Sequence, residues 1–157
     1  MGTNAFLNGG SLTSVRTLKD GKDVYIQPKR NALGGRSEET DQKYLFQWAQ
    51  AREKAIPALA SMYHIPNGGK RGKAEAARFK AAGVRAGVPD VCLPYAAGGF
   101  IGLYIELKVG KNTASDMQKV WLKRLKSQGH YVCICYGWEY AAEIILMYLR
   151  GRITKTY

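Results

Sequence analysis

Two carboxylates and a lysine stand in this chain where a central β-strand would ordinarily carry apolar side chains. Residues 83–108 read GVRAGVPDVCLPYAAGGFIGLYIELK and contain two apolar runs, at 91–93 and 100–107. Asp90 precedes the first run, behind Pro89, which stops any helix before it. Glu106 lies inside the second run. Successive side chains of a strand alternate between its faces. Leu103, Ile105 and Leu107 therefore share one face, and Tyr104, Glu106 and Lys108 share the other. Burying an acid and a lysine on such a strand is costly unless they pair or bind a cation. One reading is a Glu106–Lys108 ion pair on a solvated strand face. The other is a site in which Asp90 and Glu106 converge on a cation with Lys108 beside them.

The elements that would position these residues follow from patterning. Ser37 is a good helix N-cap, and Glu38, Glu39 and Asp41 complement a helix N-terminus. Leu45, Trp48, Ala49 and Arg52 recur at helical spacing, which predicts a helix running to about Lys54, before Pro57. Residues 62–65 form a short strand candidate, and Pro66-Asn67-Gly68-Gly69 a turn. Residues 74–82 read as a short helix closed by Gly83. The two motif strands come next, with a turn near 96–99. Ser115 can cap a helix through Met117, Val120, Trp121, Leu122 and Leu125 to Gly129. Residues 131–136 are a buried strand, rich in aromatic and β-branched residues. Residues 138–149 are a last helix, with Ala141, Ile144, Ile145 and Tyr148 at helical spacing. This order suits an α/β sandwich with a mixed central sheet flanked by helices.

Composition narrows the partner. The chain has 157 residues and a formal charge of +12, from 24 Lys plus Arg against 12 Asp plus Glu. Such an excess points to a polyanion, and with no broad amphipathic basic helix nucleic acid leads over membrane. Lys70, Arg71, Lys73, Arg78, Lys80 and Arg85 form the densest basic stretch, with Lys111 in a later polar loop. Flanking glycines let backbone approach a phosphate closely, so this stretch is the expected DNA-backbone contact; a solvated loop and helix face is the alternative. No apolar run approaches the ~18 residues that span a bilayer, and no secretory h-region follows Met1, so a cytoplasmic protein is expected. Cys92, Cys133 and Cys135 lie in strand-like runs and read as small buried hydrophobes; their spacing and His130 match no standard zinc pattern. Residues 1–36 form a basic N-terminal extension, in which Asp20-Gly21 between alternating segments at 15–26 suggests a β-hairpin. Residues 37–150 form one domain, and 151–157 a basic tail.

Pro89-Asp90, fifteen residues and then Glu106-Leu107-Lys108 resembles the PD-(D/E)XK nuclease signature. His64-Ile65-Pro66-Asn67-Gly68-Gly69 upstream, Gly83 and Gly87 before Pro89, Ser115-Asp116-Met117-Gln118 after the lysine, and Gly129-His130-Tyr131-Val132 beyond narrow the match. In that order they closely resemble the VRR-NUC family, over about residues 37–148. The resemblance implies a restriction-endonuclease-like fold and phosphodiester hydrolysis dependent on Mg²⁺ or Mn²⁺. Asp90, Glu106 and the Leu107 carbonyl would hold the metal, and Lys108 would orient water or stabilise charge at phosphorus. Gln118 would point into the active site. Glu38, one turn before Gln42, would add to the metal site, with Glu39 as its alternative. His64 is either a proton-transfer group or structural. Compact family members look like phage or prophage enzymes acting on branched DNA. A homodimeric Holliday-junction resolvase is therefore the first expectation. A nicking or restriction-type nuclease on duplex DNA, or a non-catalytic basic binding module, is the alternative. No Gly-Lys-Ser/Thr loop is present.

Overall fold

The structure is a computed structural model. It describes residues 35–67 and 72–153, together with the two-residue strand Tyr25–Ile26. The elements run β1 (Tyr25–Ile26), α1 (Glu38–Gln50), a 3-10 turn (Pro57–Ser61), β2 (Tyr63–His64), α2 (Lys73–Ala81), β3 (Val91–Leu93), β4 (Leu103–Lys108), α3 (Asp116–Ser127), β5 (Tyr131–Tyr136) and α4 (Trp138–Leu149). The strands form one mixed sheet in the order β1-β5-β4-β3-β2. β1, β5 and β4 are parallel neighbours, whereas β3 and β2 join antiparallel. The mixed sheet flanked by helices is the architecture expected from the sequence.

Period-two alternation in β4 sorts the core into two layers. Leu103, Ile105 and Leu107 enter the larger core with Leu45 and Ala49 of α1 and Ala141, Ile144, Ile145 and Tyr148 of α4. On the other face Val132, Ile134 and Tyr136 of β5 pack against Leu122 of α3, with Tyr104 and Leu125 beside them. Cys133 and Cys135 point into the larger core, fully buried, with their sulfurs 3.7 Å apart. They serve there as small hydrophobes.

Two differences from the sequence reading have local causes. α1 ends at Gln50 rather than Lys54. Residues 51–55 tighten into turns, with Arg52 and Ala55 donating three residues back, and the chain swings so that Ile56 packs against the core. The proposed hairpin at 15–26 falls outside the described residues except at its end. There Tyr25–Ile26 pairs in parallel with Cys133 and Ile134 of β5.

One cross-fold contact was invisible in the sequence. Arg36, at the end of the polar extension, grips Glu139 with its two terminal guanidinium nitrogens at 2.8 and 2.9 Å, and its Nε lies 3.0 Å from the Asp41 carboxylate. Asp41 is buried and accepts from the Trp138 backbone N–H. It thereby caps α4, whose own N-cap, Gly137, has no side chain to do so. This knot joins the N-termini of α1 and α4. Arg36→Ala would leave Asp41 buried without its cation and should destabilise the protein by roughly 1–3 kcal/mol in a denaturant titration. Lys43→Ala, which removes only an exposed helical pair with Glu39, should move the midpoint little.

Candidate active site

The antiparallel register between β3 and β4 brings the two strand carboxylates together. Val91 pairs with Ile105, so Asp90 and Glu106, one residue further on each strand, come side by side. The Leu107 N–H donates to Asp90 Oδ2 over 2.8 Å. Glu106 is 0 % exposed. Its Oε1 accepts from Lys108 Nζ at 2.7 Å and from Gln118 Nε2. Its Oε2 is buried with no hydrogen-bond partner. Lys108 is only 5 % exposed, and its Nζ also lies 3.5 Å from Glu38 Oε2.

Helix termini bring in the other members. Ser37 caps α1 and sets Glu38 in its first turn. Glu38 Oε1 accepts from Asn112 Nδ2 at 3.1 Å, and the Asn112 carbonyl accepts from Tyr136 Oη at 2.8 Å. Gln118 works in two directions at once. Its Oε1 accepts from the Ser115 N–H at 2.8 Å while Ser115 Oγ accepts from its own N–H, a complete capping box. That leaves Nε2 to donate to Glu106. A surface amide is thus converted into a fixed donor by the start of α3. Asn112 and Tyr136 were missed from sequence because a polar loop and a strand tyrosine carry no signal of their own. Glu39, the alternative to Glu38, faces solvent and pairs with Lys43.

Three carboxylates around one ammonium leave negative charge in excess. Burial pushes Glu106 up to about 8, with the charge of Asp90 adding to the shift and the Lys108 hydrogen bond opposing it. Burial also raises Asp90, against the Leu107 N–H and the charge of Lys108. Burial pulls Lys108 down, but its bond to Glu106 and the charges of Glu106, Glu38 and Asp90 outweigh that and raise it overall. The site therefore holds an ammonium beside a carboxyl that readily keeps its proton.

The donor set fits a hard divalent cation. Glu106 Oε2 has no partner, and Asp90 beside it is bonded through Oδ2 to the Leu107 N–H. Among the described residues no group of three or more His, Cys, Asp or Glu side chains is arranged to hold a metal. A cation here would thus rest on Asp90 and Glu106, backbone and water, which is the coordination Mg²⁺ ordinarily takes. Glu38 is held by Lys108 and Asn112 at the edge of the site rather than as a third convergent ligand.

Lys73, Arg78, Lys80, Arg85 and Lys111 are all exposed, and α2 buries none of its side chains. Lys70 and Arg71 lie outside the described residues. His64 contacts the site through backbone, its Nδ1 lying 2.8 Å from the Asp90 carbonyl oxygen.

A family model for the VRR-NUC domain matches residues 37–139. The chain belongs to the VRR-NUC family. A solved structure described as a "VRR_NUC domain protein" superposes with a TM-score of 0.64 at 30 % identity, covering 75 % of this chain and 92 % of that one. A comparison with curated proteins gave no match. VRR-NUC membership implies a nuclease-type, hydrolytic function on DNA, and domains of this family generally depend on a divalent metal. The mixed sheet with its flanking helices is consistent with the restriction-endonuclease-like fold of such domains. No described helix is long and apolar enough to cross a membrane.

The electrostatics of this VRR-NUC site have a measurable consequence. The folded protein holds the Glu106 proton more tightly than the unfolded chain, whose glutamates titrate near ~4.3. That contribution to stability is present in full below the unfolded value and is lost as pH rises toward about 8. Metal-free protein should lose stability across this interval and level off above it. Glu106→Gln, which cannot ionise, should flatten the slope; urea titrations at a series of pH values check both.

Proposed function

We propose that this protein is a metal-dependent, structure-specific DNA endonuclease of the Holliday-junction-resolvase type, acting as a homodimer in the cytoplasm of a bacterial host. The observation that carries the nuclease reading is a fully buried Glu106, with one oxygen unpartnered, set against Asp90 under a lysine. A pure binding module has no use for acids where phosphates must approach. Asp90 and Glu106 would hold Mg²⁺ or Mn²⁺. In an extended strand the N–H and C=O of one residue leave toward the same neighbour, so the Leu107 carbonyl would be the backbone ligand on the Asp90 side. Glu38 would join through water. When bound, the cation supplies an activated water and neutralises charge at phosphorus.

The chain's own residues do the rest. Lys108, held charged by Glu106 and Glu38, orients the attacking water or offsets charge developing on the phosphoryl oxygens. Gln118, locked by its capping box, keeps Glu106 in one rotamer, and the second hydrogen of its amide nitrogen would orient water or phosphate. Lys73, Arg78, Lys80, Arg85 and Lys111 would grip the DNA backbone. Two cuts across a four-way junction need two active sites, which twofold symmetry provides. A nicking or restriction-type enzyme on linear duplex is the second reading, favoured by a monomeric state.

Labelled junction, flap, nicked and linear DNA should be incubated with and without Mg²⁺. Cleavage should require the metal and favour the junction, and sedimentation should give twice 17.4 kDa. A monomer cutting linear duplex as fast as junctions selects the second reading. Asp90→Ala, Glu106→Ala and Lys108→Ala should each lose at least ~10²-fold in rate, and the losses should not add. Affinity should fall with salt by roughly 0.9 log units per phosphate contact per log unit of salt. Lys73→Ala with Arg78→Ala should flatten that slope equally for all sequences.

A further inference from the structure

Residues 84–90 return the chain from α2 to Asp90, and contacts from two sides hold that return. On the α3 side Trp121 Nε1 donates to the Ala86 carbonyl over 3.0 Å. Gly87, at φ +82°, packs so closely on α3 that a Cβ there would lie 2.8 Å from the Met117 backbone. On the β2 side Asn67 Nδ2 donates to the Val88 carbonyl. At the end of the segment the Asp90 carbonyl receives two donors, the Ile65 N–H at 2.9 Å and His64 Nδ1 at 2.8 Å. A carbonyl only accepts, so Nδ1 carries the proton and the tautomer is set. That nitrogen is committed to backbone and is not available to shuttle a proton at the phosphate.

The same residue is held at its other end, where the Leu107 N–H binds the Asp90 carboxylate. Fixing the carbonyl fixes ψ at Asp90, and with it the direction in which the carboxylate leaves the chain. β2 is only two residues long and lies at the sheet edge, so the ladder alone holds Asp90 weakly. His64 adds a side-chain bond at the point where that ladder ends.

We propose that His64 is a positioning residue of this enzyme, which aims the Asp90 carboxylate at the metal by binding the Asp90 backbone carbonyl. The proposal rests on the nuclease reading above and adds to it the residue that orients one ligand. His64 is exposed and its side chain fills no core space, so replacing it leaves the packing of the fold intact.

The test titrates wild type, His64→Ala and His64→Asn with Mn²⁺ in the absence of DNA, following the melting temperature. Loss of a partner that orients a ligand ordinarily costs about 10–100-fold in metal affinity. His64→Ala should show a weakening of that size. His64→Asn, whose amide nitrogen can stand near the place of Nδ1, should recover most of it. With DNA present, kcat should fall in His64→Ala while KM holds, because no substrate contact is removed. Asn67→Ala, which loosens the same segment at Val88, should weaken Mn²⁺ in the same direction. Unchanged Mn²⁺ affinity in His64→Ala overturns the proposal, and so does an equal loss in His64→Ala and His64→Asn. A wild type that shows the Mn²⁺ pattern but cuts no DNA sinks the nuclease reading and leaves the positioning role standing.

Discussion

A carboxylate with no exposure, pressed against a second one, is the constraint on which this structure turns. Ionised Glu106 in a dry site beside Asp90 would be costly on both counts, desolvation and like charge. The surrounding elements each reduce that cost in a specific way. β4 supplies Lys108 two residues on, and the Leu107 N–H to Asp90. α3 begins where its capping glutamine can reach Glu106. α1 begins where Glu38 can share Lys108 with it, and the loop through Asn112 is pinned by Tyr136 to hold Glu38 there. What these contacts do not remove is the net negative charge, and that residue of charge is what suits the site to a cation.

The position in the sheet explains why such a site can exist in a small domain. β4 is flanked by a parallel strand on one side and an antiparallel one on the other. Its last residues therefore face Asp90 at the start of β3, rather than the interior of a continuous ladder. One face of β4 is fully committed to the larger core through Leu103, Ile105 and Leu107. On the opposite face Leu122 and Leu125 of α3 pack over β5 and Tyr104, while at Glu106 the first turn of α3 supplies the Gln118 amide instead of an apolar side chain. The knot of Arg36, Asp41 and Glu139 keeps α1 and α4 in register at their N-termini, and so keeps Glu38 at the rim of the site.

Much of this was legible in the residues because it rests on short-range pattern. Alternation in residues 103–108 separates core from site without any knowledge of the fold. Ser37 and Ser115 mark two helix starts that the structure places as expected. The end of α1 was not legible. Ala51, Arg52, Glu53 and Lys54 are all good helix formers, and the chain leaves the helix there because Ile56 is drawn to the core. The Arg36–Glu139 contact spans 103 residues of sequence and gives no local sign. The second role of Gln118 was half visible. Serine followed three residues later by glutamine is a capping signal, but which way the spare amide nitrogen points depends on where β4 lies.

The central claim is that Glu106 and Asp90 form a site whose excess charge a divalent cation neutralises. It is tested most directly by the melting temperature of wild type and Glu106→Gln with and without Mn²⁺. A cation that binds only the folded state adds about 2.7 kcal/mol at ~100 times its dissociation constant. Wild type should show a rise in melting temperature of corresponding size. Glu106→Gln, which puts a neutral amide where a carboxyl must give up its proton to hold the cation, should show little or no rise with Mn²⁺. Equal Mn²⁺-induced rises in the two proteins would take Glu106 out of the metal site and contradict this account.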